Sequence, residues 1–143
     1  MASFVRATIA GLAFMLVALG VALAIRRLDD GTVIRGLAIP AAASAWLLAT
    51  PLWRLIVLSS AVDDDTPTAR AVVVGFLTGL LAHPLMWLLA YLMTSSSQPL
   101  VDAANGVVFY SMYSVIFLGL PTVLVGIALG ALLARVRSLT RRE

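Results

Sequence analysis

Four long apolar stretches fill most of this sequence, and nearly all of the charged residues lie between or beyond them. The stretches cover residues 7–25, 36–62, 71–93 and 107–134. A helix needs roughly 20 apolar residues to cross the hydrocarbon core of a bilayer, and each stretch has about that length or more. The sequence therefore predicts an all-α integral membrane protein, a four-helix transmembrane bundle with short loops. We expect residues 100–106 to form a short interfacial turn before the fourth span.

The amino-acid composition agrees with a chain that is embedded in a lipid bilayer. Hydrophobic residues make up 62% of the sequence and charged residues 12%, which is about half the charged share of a typical soluble domain. The chain has 143 residues, a length that suits one domain. No segment between the apolar stretches is long enough to be a domain linker. We therefore expect a single transmembrane domain over residues 1–143.

Several classes of function are disfavoured by the residue types present. The chain has no cysteine and one histidine, which excludes disulfides, thiolate metal sites and thiol catalysis. Three adjacent aspartates, residues 63–65, are typical of a solvated helix cap rather than a metal site. The arginines flank the apolar stretches and form no basic stripe with interleaved aromatics, so nucleic-acid binding is not expected. We predict no catalytic site, no cofactor and no metal, and hence a protein that is not an enzyme.

The first apolar stretch has two interpretations. Arg6, a run of 19 apolar residues and the triplet Ala22-Leu23-Ala24 fit a cleaved signal peptide. The run is longer than the core of 7–15 residues that such peptides usually have. We favour a retained first span, with cleavage as the alternative.

The distribution of arginines predicts the orientation. With four spans, the two termini and the second loop share one side of the membrane, and this side carries six arginines against three on the other. Positively charged residues near span ends favour the cytoplasmic side. We expect a multi-pass protein of the cytoplasmic membrane with both termini inside. The six arginines are Arg6, Arg70, Arg135, Arg137, Arg141 and Arg142, and the three are Arg26, Arg27 and Arg35.

Arg54 and His83 are the two residues inside the spans whose presence at membrane depth requires an explanation. A charged side chain at membrane depth is costly, and its default interpretation is a functional site. The alternative for Arg54, which we favour, is that the guanidinium extends towards the interface. His83 lies near the middle of the third span. It is either a proton-responsive group in a pathway or, as we favour, a neutral imidazole hydrogen-bonded across helices.

Small residues and prolines predict how the spans pack. Gly75 and Gly79 share a helix face with His83, and Gly126 and Gly130 repeat the same spacing in the fourth span. Such pairs let helices approach closely. Pro51, Pro84 and Pro121 lie inside the spans, and each removes one backbone hydrogen bond and favours a kink.

The function expected from these features is that of a small non-enzymatic accessory or structural subunit. Its partners would be the lipid bilayer and either further copies of itself or a larger membrane complex. The alternative is a homo-oligomeric channel or transporter in which Arg54 and His83 line the pathway. The two hypotheses differ in whether these side chains are needed for flux.

Overall fold

A computed structural model describes residues 2–28, 36–58, 67–94 and 100–140. These residues form four α-helices, α1 (Ala2–Leu28), α2 (Ala38–Leu52), α3 (Pro67–Thr94) and α4 (Leu100–Thr140). A π-helical segment, Trp53–Leu58, continues α2. The described chain is thus all-helical, and each of its four helical segments is long and apolar enough to cross a membrane. The predicted all-α class and the number of such helices are confirmed.

The fourth helix begins earlier than the sequence pattern indicated. Residues 100–106, expected to form an interfacial turn, are the first two turns of α4. Asp102 lies in the first turn of the helix, where a negative charge interacts favourably with the helix dipole. The second predicted stretch ended at residue 62, and residues 59–66 lie outside the described ranges.

Helices α3 and α4 pack against each other through glycine. A Cβ atom built on Gly75 would strike the carbonyl of Gly126, and one built on Gly130 would strike the carbonyl of Ala71. A Cβ on Gly79 would lie 2.9 Å from the carbonyl oxygen of Thr122. Residue numbers rise along one helix as they fall along the other, so the two helices are antiparallel. The backbones touch directly because these positions carry no side chain.

This register leaves α4 longer than its neighbour at both ends. Because Gly126 faces Gly75 and Gly130 faces Ala71, the ends of α3 at Pro67 and Thr94 lie near residues 134 and 107 of α4. The segments 100–106 and 135–140 therefore project beyond α3. At about 1.5 Å per residue, each projection is on the order of 10 Å.

The other half of the bundle is the pair of α1 with α2 and the π-helical segment. A Cβ on Gly11 would strike Thr50 Oγ1 and lie 3.0 Å from Trp46 Cδ1. Ala7, Ala10 and Phe14 of α1 are buried in a cluster with residues of the other helices. The helices α1–α2, α2–α3 and α3–α4 pack closely, whereas α1 and α4 touch at only a few points. The described bundle therefore has one open seam, between α1 and α4.

The three prolines have different effects on the helices. Pro84 lies inside α3 and Pro121 inside α4, and each helix continues through its proline. The π-helical segment begins two residues after Pro51, at Trp53. A π-turn inserts one extra residue into a helix and changes the direction in which the following side chains point. Arg54 is the second residue of this segment.

Candidate functional site

A cavity of about 160 Å³ lies between the four helices. Every helix contributes to its wall, from Phe14 to Ile25 in α1 and from Leu118 to Leu129 in α4. Nearly all of the lining surface is apolar. The polar residues of the lining are Ser44, Thr78, His83 and Thr122.

His83 joins the two helices that form one wall of this cavity. Its Nε2 lies 2.8 Å from Thr122 Oγ1 of α4, and the residue is only 6% exposed. The Thr122 hydroxyl is also 2.9 Å from the carbonyl oxygen of Leu118 and 3.0 Å from that of Gly119. The hydrogen bond across helices that the favoured interpretation of His83 requires is thus present.

These distances assign the protons of the pair. A hydroxyl has one hydrogen to donate. If Thr122 gave it to the imidazole, its lone pairs would face two carbonyl oxygens at hydrogen-bond distance, which is repulsive. Thr122 therefore donates within its own helix and accepts a hydrogen bond from His83 Nε2–H. Because a neutral imidazole carries one proton, His83 Nδ1 is then a hydrogen-bond acceptor.

Two polar atoms of the cavity-lining residues are buried without a partner. These are His83 Nδ1 and Thr78 Oγ1, among the side-chain atoms that the structure describes. Buried polar groups are nearly always hydrogen-bonded, so each exception points to strain, function or an unseen partner.

A second polar contact joins α3 and α4 one turn further along α3. Trp87 Nε1–H donates to Ser114 Oγ at 3.1 Å, and the Ser114 hydroxyl donates to the carbonyl of Ser111 at 3.0 Å. The Trp87 ring stacks on Tyr110 with centroids 4.8 Å apart. His83 and Trp87 thus use successive turns of one face of α3 to bind α4. The sequence placed His83 on that face but left its partner open.

Arg54 lies away from this cavity. It belongs to the π-helical segment, its side chain is exposed, and it is not among the residues that line the cavity. Gly11 contacts Thr50, four residues before Arg54. Arg54 therefore lies towards the end of the bundle that holds the start of α1 and Arg6. The cavity is lined by the later half of α1, from Phe14 to Ile25. The structure therefore does not bring Arg54 and His83 together.

The described residues contain no group of three or more histidine, aspartate or glutamate side chains placed to hold a metal ion. The aspartates at 63–65 lie outside the described ranges. What the cavity offers chemically is apolar contact, one imidazole acceptor and a few hydroxyl groups. The sequence matches no known family model, and comparison with curated proteins and with solved structures found no match.

Proposed function

We propose that this chain is a non-enzymatic accessory or structural subunit of a larger assembly in the cytoplasmic membrane, with both termini inside. Large hydrophobic side chains are exposed on all four helices, which suits a protein surrounded by lipid. The antiparallel helices bring Arg6, Arg54, Arg70 and Arg135 to the same end of the bundle. Arginines at the cytoplasmic ends of spans are the usual orientation signal, which supports the proposed topology.

The observation that carries the proposal is the apolar length of α4. Its apolar stretch, residues 107–134 between Asn105 and Arg135, has 28 residues, or about 42 Å at 1.5 Å per residue. The hydrocarbon core is about 30 Å thick, and the average helix tilt of about 20° shortens 42 Å only to about 39 Å. At that tilt, lipid chains leave part of this apolar surface uncovered. A transmembrane helix of a partner that also extends beyond the core would cover it.

The surroundings of α4 agree with a partner at this helix. Helix α4 packs closely against α3 and touches α1 at only a few points. It carries nearly half of the large hydrophobic side chains that are exposed in the described residues. Four aromatic residues lie in its first half: Phe109, Tyr110, Tyr113 and Phe117. Aromatic side chains are the most common energetic anchors of protein interfaces.

Substituting Phe109 with alanine is expected to reduce the amount of co-purified partner about tenfold. This corresponds to a loss of about 1.4 kcal/mol in the free energy of partner binding, the contribution expected of one aromatic anchor. Phe4→Ala is the matched control, because Phe4 on α1 is similarly exposed, at 58% against 65% for Phe109. The measurement is quantitative mass spectrometry after gentle detergent extraction of the tagged chain from its native membrane. Equal partner recovery for both variants would contradict a partner site on α4.

The transport alternative is favoured by one observation, the cavity beside His83 between all four helices. Arg54, the other side chain assigned to that pathway, does not line it. We expect Arg54→Ala to leave partner recovery and protein yield unchanged. A transporter that uses this cavity would instead lose flux in reconstituted liposomes on His83→Ala while remaining folded. Wild-type flux that His83→Ala abolishes would therefore replace the accessory proposal by the transport alternative.

A further inference from the structure

We propose that the cavity beside His83 is the binding site for one acyl chain of an anionic phospholipid, whose phosphate lies at the end of α1 that carries Arg26 and Arg27. The proposal rests on the membrane location proposed above. It does not depend on any protein partner, so it can fail or succeed separately from the accessory role.

The volume of the cavity limits what can occupy it. A cavity of about 150 Å³ lined by apolar side chains holds a molecule the size of benzene, and this one measures about 160 Å³. A partner helix, with a diameter of roughly 10 Å, is too wide for it. Water needs two to four polar partners, and the two unpartnered polar atoms of the lining residues, His83 Nδ1 and Thr78 Oγ1, are buried beneath an otherwise almost wholly apolar wall. A short segment of an alkyl chain fits both the volume and the lining.

The open seam gives a lipid chain a way in. Helices α1 and α4 touch at only a few points, while the other neighbouring helices pack closely. Both α1 and α4 line the cavity, through Val21 and Ala22 on one side and Leu118 and Val125 on the other. In a bilayer this seam faces hydrocarbon. A chain can therefore enter sideways while the rest of its lipid stays among its neighbours.

The position of the cavity along α1 indicates the charge of the lipid headgroup. The cavity is lined by α1 only from Phe14 to Ile25, so it lies towards the C-terminal end of this helix. Arg26 and Arg27 follow Ile25 directly. A lipid whose chain fills the cavity places its headgroup at this end. Arginine side chains in general pair well with phosphate oxygens.

Photo-crosslinking of the wild-type protein tests the site without any substitution. The probe is phosphatidylglycerol with a diazirine in one acyl chain, in vesicles of phosphatidylcholine. His83 lines the cavity and is only 6% exposed, so lipid around the bundle does not reach it. We expect label at His83. Label confined to outward residues such as Ile116 and Leu120 would overturn the proposal.

Two phenylalanine substitutions on α1 provide a matched pair. Ala22 lines the cavity, whereas Ala24 is exposed and lies outside the lining. We expect Ala22→Phe to lower the label at His83 at least tenfold and Ala24→Phe to leave it unchanged. Unchanged label at Ile116 shows that Ala22→Phe is still folded. If the Ala22→Phe variant unfolds, the labelling pattern of the wild-type protein alone tests the proposed site.

The headgroup part of the proposal has its own comparison. The same diazirine chain on phosphatidylcholine, which has no net charge, is expected to label His83 several-fold less than on phosphatidylglycerol. Arg26→Gln with Arg27→Gln should remove that difference. Equal labelling by the two lipids in the wild type would overturn the anionic site.

Discussion

Replacing Gly75 with leucine is expected to destroy the packing of α3 against α4. A Cβ atom at this position meets the carbonyl group of Gly126, with the carbonyl carbon only 2.6 Å away. The obstacle is backbone, which cannot rotate aside as a flexible side chain would. The two helices must separate, and we expect a loss of about 3 kcal/mol or more in the free energy of unfolding.

Gly20 supplies the matched control for this prediction. It lies inside α1, and a Cβ atom there would have nothing within 4 Å. Gly20→Leu should therefore match or exceed the wild-type stability, since glycine inside a helix costs about 1 kcal/mol relative to good helix formers. The measurement is unfolding in mixed detergent micelles, followed by circular dichroism. Gly75→Leu with a wild-type transition would show that α3 and α4 do not meet at their glycines.

Replacing Thr122 with valine is expected to destabilise the protein by about 1–2 kcal/mol, the cost of leaving a buried imidazole N–H without an acceptor. Valine keeps the shape of threonine and removes only the hydroxyl group. His83→Leu combined with Thr122→Val should cost less than the sum of the two single substitutions, because the two side chains contact each other.

The control for the His83–Thr122 pair is Thr8→Val. The Thr8 hydroxyl donates only to the carbonyl of Phe4 in its own helix, at 3.0 Å, so we expect a change of less than about 0.5 kcal/mol. The tautomer is a separate readout, since nitrogen NMR of the labelled imidazole should show the proton on Nε2. Additive free energies for His83→Leu and Thr122→Val would contradict the bond between the two helices.

Much of the fold could be predicted because lipid imposes a simple rule on sequence. Spanning segments must be long and apolar, so four such stretches predict four helices before any contact is known. The glycine spacing was also informative. Gly75 and Gly79, and likewise Gly126 and Gly130, are one helical turn apart and therefore mark one face of each helix.

The helix bounds and side-chain partners were harder to predict, for physical reasons. Residues 100–106 contain Asp102, Asn105 and Gly106, which suggest a turn, but α4 continues through them. The partner of His83 depended on the antiparallel register, and Thr122 was one of several hydroxyl-bearing residues available. Arg54 is exposed and lies within a π-helical segment, which hydrophobic periodicity does not reveal.

The cavity itself has no sequence signature. Its wall is assembled from apolar positions on all four helices, and the residues are the same types that fill close-packed cores. It forms because α1 and α4 remain apart, a property of the whole bundle rather than of any segment. His83 was singled out from its cost in an apolar span, and that cost does not predict a cavity.

The most direct test of the accessory role is native mass spectrometry of the tagged chain, extracted gently from its native membrane. The proposal predicts a complex in which this chain occurs in fixed stoichiometry with a larger membrane protein, and in which Phe109→Ala weakens that association. A discrete homo-oligomer with no other protein would contradict it.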